Sequence, residues 1–351
     1  MQELLRQLVA GEPLSEAQAV EAFELVMTGQ ASPAQIAALL AMIEQRGATI
    51  DEIVGAATVM RRHVTPVEVP AGLTVIDTCG TGGDHAGTFN ISTAAALVAA
   101  GAARRSRADL GVAKHGNRSV TSSSGSSQVL EALGVRLGVD PACSTQCLVE
   151  ARVCFCFAPA HHPAMKHAAP VRGELGIRTI FNIVGPLTNP AGARRQLVGV
   201  WASEMTEPIA RVLARLGAER AMVVHGQIPD ADGRHVDALD ELSTAGPTRV
   251  TEVAGKDVTT TELTPEQVGL PYSHPSALRV DSVEASAALI RAVLAGESGP
   301  ARDIVLLNAA AGLRVAGLAE DLEQGVAMAA EAIDAGAAAA ALESLVKLTG
   351  K

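Results

Sequence analysis

The run Thr74-Val75-Ile76-Asp77-Thr78-Cys79-Gly80-Thr81-Gly82-Gly83-Asp84 passes from a short β-branched strand into a glycine-rich turn. Asn90-Ile91-Ser92-Thr93 follows, with Asn90 and Ser92 placed to cap a helix that continues through Ala94 to Ala100. Strand, turn and helix in that order make the first unit of an α/β fold. Glycine admits positive φ and lets successive N–H groups face an anion. The helix start adds unpaired N–H groups and a partial positive charge. Two familiar phosphate signatures are excluded. The dinucleotide pattern needs Gly where His85 stands, and the Gly-Lys-Ser/Thr of a P-loop is absent.

Beyond this unit, strands alternate with helices. Val153–Phe157, Gln196–Trp201, Ala221–Val224 and Ile304–Leu307 read as buried strands, and Ser127–Leu133, Thr206–Leu216 and Val283–Leu294 as helices. The alternation predicts an α/β fold with a mostly parallel sheet covered by helices. The first 70 residues are different. Ser15-Glu16-Ala17-Gln18, Ser32-Pro33-Ala34-Gln35 and Thr49-Ile50-Asp51-Glu52 read as capping boxes, and Gly29 and Gly47 as helix ends. Ile36, Leu39, Leu40 and Ile43 form one apolar stripe, suited to a dimer surface or to burial within the chain. The expected division is a small helical domain, 1–70 with roughly 165–190, and a larger α/β domain, 71–164 with 191–351. The tail Ala335–Ala341 reads as helix.

With 351 residues, 48% of them hydrophobic, the chain can bury a large core. No apolar run reaches a membrane span, and the N-terminus lacks a secretory pattern, so no membrane is expected and the location expected is cytoplasmic. A net charge of -10 and 2% aromatics disfavour nucleic acid. They also require that an anionic ligand be held by local donors. Cys79, Cys143, Cys147, Cys154 and Cys156 are odd in number and read as reduced thiols. Neither close pair has the spacing of a zinc site, so they are expected to be small apolar side chains.

Three further groups carry chemistry. Lys114, in Val112-Ala113-Lys114-His115-Gly116-Asn117-Arg118-Ser119, reads as a compact charge beside a glycine turn, and the run Ser122–Ser126 behind it offers hydroxyls. The adjacent acids Asp240 and Glu241 read either as a solvated loop or as carboxylates that hold Mg2+ on a diphosphate. His161-His162-Pro163, Arg172 and Gly185-Pro186-Leu187-Thr188-Asn189-Pro190 form the third group. Arg172 can clamp a planar carboxylate or pair with Glu174, and one of the histidines lines a pocket.

In this order the segments Gly80–Asp84, Thr88–Thr93, Lys114–Ser119, Ala158–Lys166, Pro170–Arg172, Leu175–Pro190 and Leu239–Ser243 resemble the anthranilate phosphoribosyltransferase family, within the nucleoside phosphorylase-like phosphoribosyltransferases. The resemblance spans essentially the whole chain. It implies a homodimer whose two-domain cleft binds phosphoribosyl diphosphate (PRPP) and Mg2+, in tryptophan biosynthesis. It assigns Gly80, Thr81, Gly82, Gly83, Asn90, Ser92, Thr93, Lys114 and Ser126 to PRPP. It places Asp84, Ser92, Asp240 and Glu241 around metal. It gives Gly80, His115, Asn117, His162, Arg172, Gly185 and Pro186 to anthranilate. His85, Ser123, Gly173 and Ala238 depart from the family's pattern. The implied reaction needs no strong general base, because an aromatic amine is neutral at pH 7, and none is assigned. A nucleoside phosphorylase is disfavoured by the acidic pair and the Arg172 segment. A nucleic-acid-binding relative is disfavoured by the acidic balance.

Overall fold

The computed structural model describes residues 1–84, 86–118, 125–229 and 235–350; for 235, 237 and 238 only the backbone is described. His85, Ser119, Ser122, Ser123, Ser124 and the side chain of Ala238, all noted in the sequence, therefore lie outside the described residues.

The N-terminal helices start where the sequence signals them. α1 is Gln2–Val9, α2 Glu16–Met27, α3 Pro33–Arg46 and α4 Ile50–Arg62. Ser15, Ser32 and Thr49 each accept from the backbone N–H three residues on, and Gln18, Gln35 and Glu52 each reach back, closing all three capping boxes. Each such cap is worth about 1 kcal/mol. Ile36, Leu39, Leu40 and Ile43 of α3 lie inside the chain, so the stripe is used internally. Truncating one such side chain, Leu40→Ala, would cost about 2–5 kcal/mol.

The larger part is built on β1 (Thr74–Gly80), β2 (Leu110–Gly116), β3 (Val153–Phe157), β4 (Arg195–Gly199), β5 (Arg220–Pro229), β6 (His235–Leu239), β7 (Thr248–Ala254) and β8 (Asp257–Leu263). They form one sheet in the order β3-β2-β1-β4-β5-β7-β8, with β6 also on β5. The five strands β3 to β5 are parallel, and β6, β7 and β8 join antiparallel. The small helical part and the larger, mostly parallel sheet covered by helices are thus as the sequence predicts.

In chain order the remaining α-helices are α5 (Ile91–Ser106), α6 (Ser126–Ala132), α7 (Pro141–Glu150), α8 (Ala158–His161), α9 (Ala169–Leu175), α10 (Ile180–Val184), α11 (Thr206–Arg215), α12 (Val283–Leu294), α13 (Pro300–Ala316), α14 (Leu322–Asp334) and α15 (Ala337–Thr349). No single helix among the described residues is long and apolar enough to cross a membrane. One expected strand is wrong: Ile304–Leu307 lies inside the helix α13. A short apolar run cannot be told from a helix buried on every side, and this helix lies between β1, β4, α5 and α14. The start signal was present, since Gly299 precedes Pro300 at the first helical position. β2 and the antiparallel strands were missed.

Two apolar cores result. One joins α5, α12, α13, α14 and α15 to the sheet. The other joins the N-terminal helices to Ala168, Val171, Ile180, Phe181 and Leu187, and to Val198, Val200, Val223 and α11. Phe23 of α2 meets the Phe181 ring edge-on at 5.7 Å. Arg178 lies over the ring of Trp201, just beyond β4, at 4.9 Å.

Candidate active site

In an open α/β sheet the ligand crevice lies beyond the carboxyl ends of the strands, where the strand order reverses. Here that point falls between β1 and β4, and both strands end in glycine, Gly80 paired with Gly199. The acidic turn after β6 crosses these ends. A Cβ on Gly80 would collide with the Asp240 carboxylate, and one on Gly199 with the Asp240 backbone carbonyl. A Cβ on Gly226 of β5 would sit 2.6 Å from the Glu241 carbonyl oxygen. Three strand glycines therefore make the seat of Asp240 and Glu241. Asn308 of α13 holds the turn from below. Its Oδ1 accepts from Leu242 N–H and its Nδ2 donates to Leu242 C=O, both at 3.0 Å. Gly199, Gly226 and Asn308 were not found by sequence reasoning. The signal available was a glycine following each apolar strand run.

The carboxylates reach back to the glycine turn and the helix start. Gly82 N–H donates to Asp240 Oδ2 at 2.7 Å, Asp240 N–H to Asp84 Oδ2 at 3.4 Å, and Ser92 N–H to Glu241 Oε1 at 3.0 Å. Gly82 and Gly83 have φ of 67° and 80°, which explains glycine at both. The helix start differs from expectation in two ways. Asn90 stands at the N-cap but makes no side-chain cap; its Oδ1 accepts from Ser286 Oγ. The N–H of Ser92 is paired with Glu241, and that of Asn90 donates to Ser286 Oγ at 3.1 Å. Thr81 Oγ1 and Thr93 Oγ1 are buried with no hydrogen-bond partner among the described residues.

Desolvation, then the charges of Asp84 and Glu241, push the Asp240 carboxyl well above its usual range. Desolvation raises Glu241 to about 7 against the opposing pull of Lys114. Lys114 is not beside a turn as expected. It is buried near the end of β2, donating to Thr78 C=O at 2.6 Å and to Ser92 Oγ at 3.1 Å. Thr78, Lys114, Ser92, Glu241, Gly82, Asp240 and Asp84 are thus gathered at one place by hydrogen bonds and the adjacency of the two acids. Among the described residues, no three His, Cys, Asp or Glu side chains converge as a metal cage. Mg2+ needs only one or two carboxylates, completing its shell with phosphate oxygens and water, so the acidic turn fits it.

A second group lies beyond β2. His115 and His162 are buried, with their Nε2 atoms 3.1 Å apart. Desolvation, then His162 and His161, lowers His115 to about 3; desolvation, then His161, lowers His162 to about 4. Both rings are therefore neutral at working pH. The nearby backbone of Gly185 opposes the lowering of His115 in part. The expected result is that both imidazoles keep their neutral NMR shifts down to about pH 5. A midpoint near the ordinary histidine value would contradict this burial. His161 turns away and bonds Thr65 C=O through Nδ1 at 2.8 Å.

Gly185 and Pro186 form a single 3-10 turn, with Pro186 C=O accepting from Gln196 Nε2 at 2.8 Å. Asn117 is exposed, and its C=O receives Ser126 Oγ at 3.4 Å, placing those two together. Arg172 is half-buried, 5.4 Å above the Phe181 ring, and donates to Asn182 Oδ1 at 3.3 Å. Among the described residues it forms no ion pair, with Glu174 or otherwise. No hydrogen bond, ion pair or ring contact among the described residues joins Arg172 to the histidine pair.

The glycosyl transferase helical bundle domain matches residues 2–64, and the glycosyl transferase a/b domain matches residues 72–339. An anthranilate phosphoribosyltransferase of Paramagnetospirillum magneticum is 50% identical over 351 residues, covering 100% of this chain and 96% of that protein. The chain belongs to the anthranilate phosphoribosyltransferase family. Another member, from Rhodospirillum rubrum, is 51% identical over 347 residues, covering 99% of this chain and 95% of that protein. The crystal structure of the Thermus thermophilus family member superposes with a TM-score of 0.89 at 42% identity, covering 99% of each chain. That of the Saccharomyces cerevisiae member, in complex with PRPP and Mg, gives 0.87 at 26% identity, covering 99% of this chain and 97% of the other.

Proposed function

We propose that this enzyme transfers the phosphoribosyl group of PRPP to the amine of anthranilate, giving N-(5-phosphoribosyl)anthranilate and pyrophosphate, in tryptophan biosynthesis. The observation that carries this reading is the linked set at the β1/β4 switch point, which joins Lys114, the glycine turn, the α5 start and the acidic turn. The amides that hold Asp240 and Glu241 are of the kind that hold phosphate oxygens. We assign Gly80, Thr81, Gly82, Gly83, Asn90, Ser92, Thr93, Lys114 and Ser126 to PRPP. The unpartnered Thr81 and Thr93 hydroxyls support that assignment. Anthranilate is assigned to Gly80, His115, Asn117, His162, Arg172, Gly185 and Pro186.

The bond that breaks runs from the anomeric carbon to the diphosphate oxygen, and the bond that forms runs from that carbon to the amine nitrogen. The amine is neutral and needs no prior deprotonation; the proton it sheds once the carbon–nitrogen bond has formed passes to the departing pyrophosphate or to water. The barrier therefore lies in the charge that develops on the leaving group, where main-chain N–H groups and Lys114 act. Asp84, Ser92, Asp240 and Glu241 would hold Mg2+, which when bound neutralises charge on the diphosphate. The reading includes a homodimer, which sedimentation would weigh, and a reducing cytoplasm, in keeping with the five free thiols. It also takes residues 1–70 with 165–190 as one unit and 71–164 with 191–351 as the other. The shared core around Phe23 and Phe181 supports the first unit.

Loss of anthranilate fluorescence on mixing with enzyme tests the reading directly. Consumption requires PRPP and Mg2+ together; consumption without PRPP would refute it. Arg172 supplies a finer check. It carries no internal carboxylate, so its guanidinium is available to the acceptor's carboxylate. A charge-assisted bond is worth about 1.5–3 kcal/mol, so Arg172→Ala lowers kcat/KM for anthranilate by roughly ten- to a hundredfold. PRPP affinity changes little, and Arg172→Lys rescues partly because it lacks the planar fork. A defect confined to PRPP would move Arg172 out of the acceptor site.

A further inference from the structure

β1 and β2 do not stay paired. Their ladder joins only Thr74–Ile76 to Leu110–Val112. Beyond it, β1 continues on β4 through Gly80 and β2 continues on β3 through Gly116. The parallel sheet therefore splits between two neighbouring strands at its carboxyl edge. Backbone groups facing such a gap must find partners elsewhere. Here side chains supply them. Lys114 Nζ donates to Thr78 C=O at 2.6 Å, and Asp77 Oδ1 accepts from His115 N–H at 3.1 Å. Asn189 Nδ2 donates to Ala113 C=O and to Asp77 Oδ2, both at 2.7 Å. Asn189 Oδ1 accepts from Ala191 N–H at 2.9 Å, so both amide hydrogens and the oxygen are used. Asp77 and Asn189 are buried.

We infer that Asn189 is a positioning residue: it plugs the split between β1 and β2 and so fixes the Gly185–Pro186 turn against His115. Asn189 lies four residues after Gly185 on the same short segment. Its two donated bonds end on β1, through the Asp77 side chain, and on the β2 backbone just before Lys114. His115 reports the same junction, since its backbone N–H bonds Asp77 and its ring lies close to the backbone of Gly185. Lys114 has a further tie of its own, to Ser92 Oγ, that Asn189 does not make. The inference rests on the transferase reading, in which His115, Gly185 and Pro186 face the acceptor.

The test is Asn189→Ala in the full-length chain. Wild-type turnover of anthranilate with PRPP and Mg2+ is the control, and its absence would count against the transferase reading, not against Asn189. With the control active, the variant is expected to raise the anthranilate KM by about tenfold or more, since misplacement of a binding group weakens the productive complex. The calorimetric Kd for PRPP should stay within about twofold, because Lys114, the glycine turn and the α5 start keep their ties to Ser92, Asp240 and Glu241, which Asn189 does not make. Asn189→Ser keeps one donor and should fall between the two; it is read by the same split if the alanine variant does not accumulate folded. An unchanged anthranilate KM, or equal losses toward both substrates, would overturn the inference.

Discussion

Asp240→Asn combined with Glu241→Gln lowers kcat/KM for PRPP by at least about a hundredfold, as expected when two carboxylate contacts worth about 1.5–3 kcal/mol each are lost. The amides keep size and can still accept from Gly82 and Ser92 N–H, so the fold should survive and circular dichroism should match wild type. The metal requirement gives the sharper reading. Glu241 is raised to about 7, chiefly by desolvation, and under the proposed assignment only its ionised form would ligate Mg2+. Below about 7 the proton would compete with the metal; above it the carboxylate is ionised. The wild-type Mg2+ requirement should therefore ease as pH rises through that range, and calorimetric Mg2+ titration in two buffers should detect a released proton. The double variant should lose both effects. A variant with wild-type Mg2+ dependence would remove the acidic turn from the metal site.

Gly199→Ala should be comparably severe, although it adds one methyl group and touches no charge. That methyl would overlap the Asp240 backbone carbonyl, so the acidic turn must lift off the end of β4. Displacement of about 1 Å can cost on the order of a hundredfold in rate. Asn308→Leu should act in the same direction by releasing Leu242, and leaves its buried backbone groups without their partner. Anthranilate binding, assigned by proposal to the His115–Gly185 end, should be largely spared. The measurement is kcat/KM for each substrate with thermal unfolding alongside. Gly199→Ala with normal PRPP kinetics would show that the turn adapts without cost.

The α/β class, the capped N-terminal helices and the glycine turn were legible because each has a local cause. Ser15, Ser32 and Thr49 bond within their own first turns, and Gly82 and Gly83 need positive φ whatever surrounds them. What failed was set by distant neighbours. Ile304–Leu307 is helical because layers on both sides bury it, and reading it as a strand hid Asn308 one residue later. Lys114 lies in a buried strand because Thr78 C=O and Ser92 Oγ receive it. Asp77 and Asn189 stand 112 positions apart, and nothing near either in sequence announces the other. The residue types of the site were visible; the contacts that seat them arise only once the sheet has formed.

The chain has one tryptophan, and it stands at a boundary. Trp201 follows β4, and Arg178, carried by the segment between α9 and α10, lies over its ring. All indole emission from this protein therefore originates where that segment meets the sheet. Guanidinium contact and water access both alter indole fluorescence, so the spectrum is a site-specific optical gauge that needs no added label. Titrating PRPP and following intensity or red-edge shift would register rearrangement at this seam while remaining silent to events around α14 and α15.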